Sequence, residues 1–112
     1  MKSHLITATV LLLCAGCVED TVSGTGANSS GGTASGTLRE RSDGSYALGV
    51  TVGDGAFCSA IYSSPEPNGS EIRPLSCTGG QSGNATVLYD AAGNPKSASY
   101  GGLEIGSGTV RF

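Results

Sequence analysis

The chain has 112 residues, a formal net charge of −3, 19 glycines and no tryptophan, which bounds it to one small domain with a thin core. Its basic residues past the first turn of chain, Arg39, Arg41, Arg73, Lys96 and Arg111, are scattered and outnumbered by acids, so nucleic acid is not expected as a partner.

The first element is a short positive head, Met1 to His4, followed by an uncharged run from Leu5 to Leu13. Counted as far as Val18, the apolar stretch is about 14 residues, against the roughly 20 that a helix needs to cross a bilayer. The pattern is that of a cleaved export signal over residues 1–16. The segment Leu13-Cys14-Ala15-Gly16-Cys17 resembles the lipobox of bacterial lipoproteins, in which small residues precede a cysteine that takes a diacylglycerol thioether. The resemblance departs from the usual pattern at Cys14, where that family commonly has leucine. It implies cleavage after Gly16, lipidation of Cys17 and anchoring through acyl chains such as palmitate, with the membrane as a partner. By analogy with lipoprotein sorting in enteric bacteria, Val18 in place of an aspartate implies the outer membrane, with the domain facing the periplasm.

Residues 17–35 are then expected to be the lipidated cysteine and a flexible Gly/Ser/Thr tether, because almost nothing between Val18 and Ser35 is large enough to pack. About 18 such residues have a mean span of roughly 21 to 26 Å. The folded domain is placed at 36–112.

From Gly36 onward the hydrophobic period is two. Thr37 to Ser42 is a strand candidate, Asp43-Gly44 a tight turn, and Tyr46, Leu48, Val50 and Val52 alternate with small or polar residues. After Gly53-Asp54-Gly55, the run 56–63 places Phe57 and Ile61 on one face and Cys58, Ala60 and Tyr62 on the other. Further candidates are 71–78, 84–91, 98–105 and 109–112, separated by glycine-rich turns. Six or seven short antiparallel strands without any helical period predict an all-β meander curled into a small barrel or sandwich. An outer-membrane barrel is not expected, because such barrels need at least eight strands of about 9 to 11 residues with an apolar outer band. Phe112 is read as a core residue of the last strand.

With Cys14 removed and Cys17 lipidated, Cys58 and Cys77 remain as a disulfide pair in an oxidising compartment. If they face one another across an antiparallel hairpin, paired positions sum to 135. Ala60 then faces Leu75, and Tyr62 faces Arg73 in a cation–π contact. Pro74, which cannot donate to a ladder, is expected on its outer side. The intervening loop Pro65, Glu66, Pro67 and Asn68 is a candidate binding loop beside the bridge.

The only histidine, His4, leaves with the signal, so nucleophile–histidine systems lack a base and histidine metal sites lack a ligand. The carboxylates, Glu71 among them, read as turn residues or outward strand residues. No catalytic residue, cofactor or metal is expected. The segment from Leu75 to Gly83 is similar to small glycine-rich lipoproteins of proteobacteria, a resemblance that carries no activity. Ser97-Ala98-Ser99 with a single bridge resembles membrane-bound lysozyme inhibitors, although their tryptophan is absent. The reading is therefore a non-catalytic envelope lipoprotein that binds or supports an unidentified periplasmic component, with an inhibitor of a lytic enzyme as the alternative.

Overall fold

A computed structural model describes residues 21–29, 31–52 and 55–112. The expected signal at 1–16, Cys17 and the first residues of the expected tether lie outside them. The described chain forms eight antiparallel strands: β1 (Thr21–Asn28), β2 (Thr33–Glu40), β3 (Tyr46–Thr51), β4 (Phe57–Tyr62), β5 (Ser70–Cys77), β6 (Ser82–Tyr89), β7 (Pro95–Gly102) and β8 (Gly106–Arg111). Each pairs with the next, and β1 pairs with β8, giving a closed up-and-down barrel. The expected all-β meander is therefore a barrel rather than a sandwich.

The expected tether is corrected by this closure. Thr21–Asn28 is a full strand, and β2 begins at Thr33, so residues 21–28 and 33–35 belong to the barrel. Two of the glycines that suggested flexibility, Gly24 and Gly26, sit where two backbones press together. A side chain on Gly24 or Gly26 would run into the carbonyls of Arg111 and Thr109 in β8. Only a residue without a Cβ permits that approach. The outward positions between them, Thr21, Ser23 and Thr25, are exposed hydroxyl residues. Threonine at two of these three positions suits a strand.

The interior is filled by alternate residues of every strand. Leu38, Leu48, Val50, Cys58, Tyr62, Leu75, Val87, Tyr89 and Val110 are almost wholly buried, joined by Val52 and Ile105 from the turns after β3 and β7. On β4 the expected faces are found: Phe57 and Ile61 are exposed, while Cys58, Ala60 and Tyr62 are buried. Phe112 packs half-buried against the core just past β8. Eight strands reach the smallest number found in outer-membrane barrels, so the strand count does not argue against one. Strand length and outer chemistry do, since the strands have six to eight residues and much of their outer face is Thr, Ser, Arg and Lys.

Turn positions differ locally from expectation. Asp43-Gly44 does close β2 onto β3: Gly44 has φ 87°, its amide donates to the Arg41 carbonyl, and Asp43 accepts from the amide and hydroxyl of Ser45. The last hairpin instead turns at 103–105, because Gly102 pairs with Gly106. Gly108 is strand rather than turn, and a side chain there would strike the Tyr100 hydroxyl.

We call the end of the barrel at which β1 starts its lower end. Strand alternation puts the β2–β3, β4–β5 and β6–β7 loops there, and the other four connections at the upper end. The upper end is closed by buried Asn28, whose Nδ2 donates to the Tyr100 hydroxyl at 2.6 Å and to the Ile105 carbonyl at 3.1 Å.

Candidate functional site

The weakest ladder of the barrel is β4–β5. Cys58 pairs with Cys77 and Ser59 with Ser76, in the register that sums to 135, and the ladder then stops. The next position on β5 is Leu75, followed by Pro74, which has no N–H to give. Pro74 still pairs with Asn84 on the β6 side, so it lies within a closed sheet rather than at an edge. Below this point the two strands are joined by a side chain.

That side chain is Glu71. Its Oε2 accepts from the Ser63 amide at 3.2 Å, from Arg73 Nε at 2.9 Å and from Arg73 Nη2 at 2.8 Å. Its Oε1 accepts from the Ser64 amide at 3.1 Å and the Tyr89 hydroxyl at 3.2 Å. The carboxylate thus takes the backbone donors that leave β4 unpaired and ties them to β5 and β6. Its side chain is 9% exposed. Burial alone would raise the Glu71 carboxyl; the Arg73 guanidinium, the two serine amides and the Tyr89 hydroxyl together outweigh it and hold the group below the usual carboxylate range.

Two expectations are corrected here. Glu71 faces inward, since it shares the inner side of β5 with Arg73, Leu75 and Cys77. Arg73 binds Glu71 and the Ser63 hydroxyl in place of a stack on Tyr62. The Tyr62 hydroxyl donates to the Ala85 carbonyl at 2.6 Å, and the rings of Tyr46 and Tyr89 meet in a tilted contact at the lower end. Burial, reinforced by the negative Glu71, pushes both the Tyr62 and Tyr89 phenols well above the ordinary range.

Beside this cluster the lower mouth opens into a recess of about 390 Å³ lined by Thr21, Val22, Leu38, Glu40, Tyr46, Asn94 and Pro95. Charge is concentrated at this end. Arg39, Arg41, Lys96 and Arg111 are exposed there, together with the acids Asp43 and Glu66. The upper end carries Glu104 as its single charged group among the described residues.

Cys58 and Cys77 form the expected disulfide. The candidate loop is not beside it: the bridge joins the upper ends of β4 and β5, whereas Pro65, Glu66, Pro67 and Asn68 lie in the lower loop. That loop is shaped by a turn in which the Gly69 amide donates to the Glu66 carbonyl, with Asn68 at φ 57°. The Asn68 amide donates to the Asp90 carbonyl, which fastens the loop to the β6–β7 connection.

Sequence reasoning missed Glu71 as an organising residue. Counting back in steps of two from Cys77 would have found it, because that alternation puts residue 71 on the inner face. Chemically, the cluster is an ionised acceptor surrounded by donors. A general base for neutral pH needs its pKa raised toward 7, and Glu71 is moved the other way. Among the described residues, no three His, Cys, Asp or Glu side chains gather as a metal site. No protein family matches the chain, and no curated protein or solved structure is similar to it.

Proposed function

We propose that this chain is a non-catalytic envelope lipoprotein: a signal over residues 1–16, a lipid on Cys17 and a disulfide-stapled barrel held at the periplasmic face of the outer membrane, where it binds or supports another envelope component. The anchor rests on the lipobox resemblance at Leu13 to Cys17. Support for a non-catalytic role comes from one observation above all. The polar groups of the lower mouth, buried Glu71, Tyr62 and Tyr89 with half-exposed Arg73, are bound to one another and to backbone at a structural seam. Their hydrogen bonds are those of a clamp.

Metabolic labelling with a tagged fatty acid tests the anchor, with label expected on the wild type and not on Cys17→Ser. Label persisting in the variant contradicts it. Turnover of peptidoglycan, peptide or ester substrates by the purified protein contradicts the non-catalytic role.

The alternative, inhibition of a lysozyme or protease, draws on the pre-shaped loop of Pro65, Glu66, Pro67 and Asn68, since fixing a loop beforehand lowers the entropy lost on binding. It predicts slower lysis of peptidoglycan in the presence of the protein, and loss of that effect when the loop is shortened.

A further inference from the structure

Resting on the anchor reading above, we infer that the lower end of the barrel is seated on the bilayer, with the outward strip of Ile61, Ile72 and Leu88 in the lipid interface. Three observations converge on this end.

The first is leash length. The barrel begins at Thr21, so four Cα–Cα steps separate it from Cys17. At full extension they span at most about 14 Å. Strands of up to eight residues, at about 3.3 Å per residue and tilted as in a closed barrel, give a height of roughly 20 Å. A lipid on Cys17 therefore cannot lie under the upper end. An 18-residue tether would have left orientation free, and its replacement by a strand removes that freedom.

The second is the distribution of exposed apolar side chains. Ile72 is 63% exposed, Ile61 46% and Leu88 38%, all in the lower parts of β4, β5 and β6. Ile72 and Leu88 are diagonal neighbours on the outer face, since Ser70 pairs with Leu88 and Ile72 with Thr86, and Ile61 faces outward on β4, the next strand in the barrel. In strand order this strip lies across the barrel from β1, so a mouth-down seating engages the anchor and the strip together. Of the other exposed large apolar residues, Val22 lies at the lower mouth, and Phe57 and Leu103 lie at the upper end.

The third is charge. The exposed cations Arg39, Arg41, Lys96 and Arg111 lie at the lower end together with the exposed acids Asp43 and Glu66, a mixed-charge rim suited to the polar, zwitterionic headgroup layer rather than to hydrocarbon. A bilayer surface joins a short lipid leash, an apolar strip and a charged rim in one ligand. The same seating turns the loop of Pro65 to Asn68 toward lipid, away from a soluble enzyme.

The test uses the lipidated protein in vesicles of phosphatidylethanolamine and phosphatidylglycerol. Amide hydrogen exchange is compared with that of the Cys17→Ser protein mixed with the same vesicles. Exchange in the loops 41–45, 63–69 and 90–94 is expected to slow severalfold, with 78–81 and 103–105 unchanged. The double substitution Ile72→Ser with Leu88→Ser removes only exposed side chains. It should weaken the protection without unfolding the barrel, as should twelve Gly/Ser residues inserted between Val18 and Glu19. Equal protection at both ends, protection of the upper loops alone, or protection indifferent to both changes overturns the seating. The intact mass of the same sample reads the anchor separately: a Cys17 without acyl groups overturns the reading on which the seating rests.

Discussion

Replacing Glu71 probes how the β4–β5 seam is held. Glu71→Ala removes an acceptor of five hydrogen bonds and leaves Arg73, Tyr89 and two backbone amides to find water. Hydrogen bonds to a charged group contribute about 1.5 to 3 kcal/mol each, yet Arg73 is 42% exposed and the serine amides can rehydrate, so the sum is heavily discounted. A net loss of about 3 kcal/mol follows, which for a domain of this size lowers the melting temperature by roughly 12 to 24 °C. The charge dependence has a definite sign. The Glu71 carboxyl is held below its unfolded value, so near and below that value the unfolded state binds more protons than the native state. Its contribution is complete at pH 7 and fades as the solution is acidified through the folded pKa. Glu71→Gln keeps the shape without the charge. Urea unfolding of wild type and Glu71→Gln at pH 7 should therefore differ, and the difference should shrink as pH falls below about 4, while other carboxylates cancel in the comparison. A difference that stays constant from pH 7 to pH 3 would refute the role assigned to the ionised carboxylate.

Three further outcomes follow from the fold. Reduction, or Cys58→Ser with Cys77→Ser, opens a loop of 19 residues' separation and should cost about 3 kcal/mol in urea unfolding, because the bridge holds the seam's only backbone ladder. Gly26→Val should prevent closure of β1 on β8 and give a protein with rapid amide exchange in both strands; a variant as stable as wild type would show that the seam tolerates a Cβ. In alkaline titration followed by tyrosine absorbance, Tyr62 and Tyr89 should ionise later than an exposed phenol. Since their folded pKa values are raised, the stability they contribute is full below pH 10 and is lost as pH rises through them.

Much of the barrel was legible in the sequence, and its misreadings share a physical origin. Tyr46, Leu48, Val50 and Val52 declare β3 because inward positions need large side chains where the interior is wide. Cys58 and Cys77 declare their register because elimination leaves one pair. β1 carries Gly24 and Gly26 inward instead, pressed against a neighbouring backbone, and a composition rule counts such glycines as slack. The signal available was the alternation of Thr21, Ser23 and Thr25 with those glycines, repeated in Thr33, Ser35 and Thr37. Glu71 was read as a surface acid because carboxylates usually are. Its inward position becomes visible only when the strand's period is trusted over the residue's polarity. The Tyr62–Arg73 stack failed for a related reason, since an ionised partner two residues away on the same strand face binds the guanidinium more strongly than a ring does.

The central claim is that a lipid on Cys17 holds this barrel at the membrane, and the mass of the mature protein recovered from envelope membranes tests it most directly. The account predicts a chain that begins at Cys17 and carries diacylglycerol. A chain beginning elsewhere, or an unmodified Cys17 in the soluble periplasmic fraction, would contradict it.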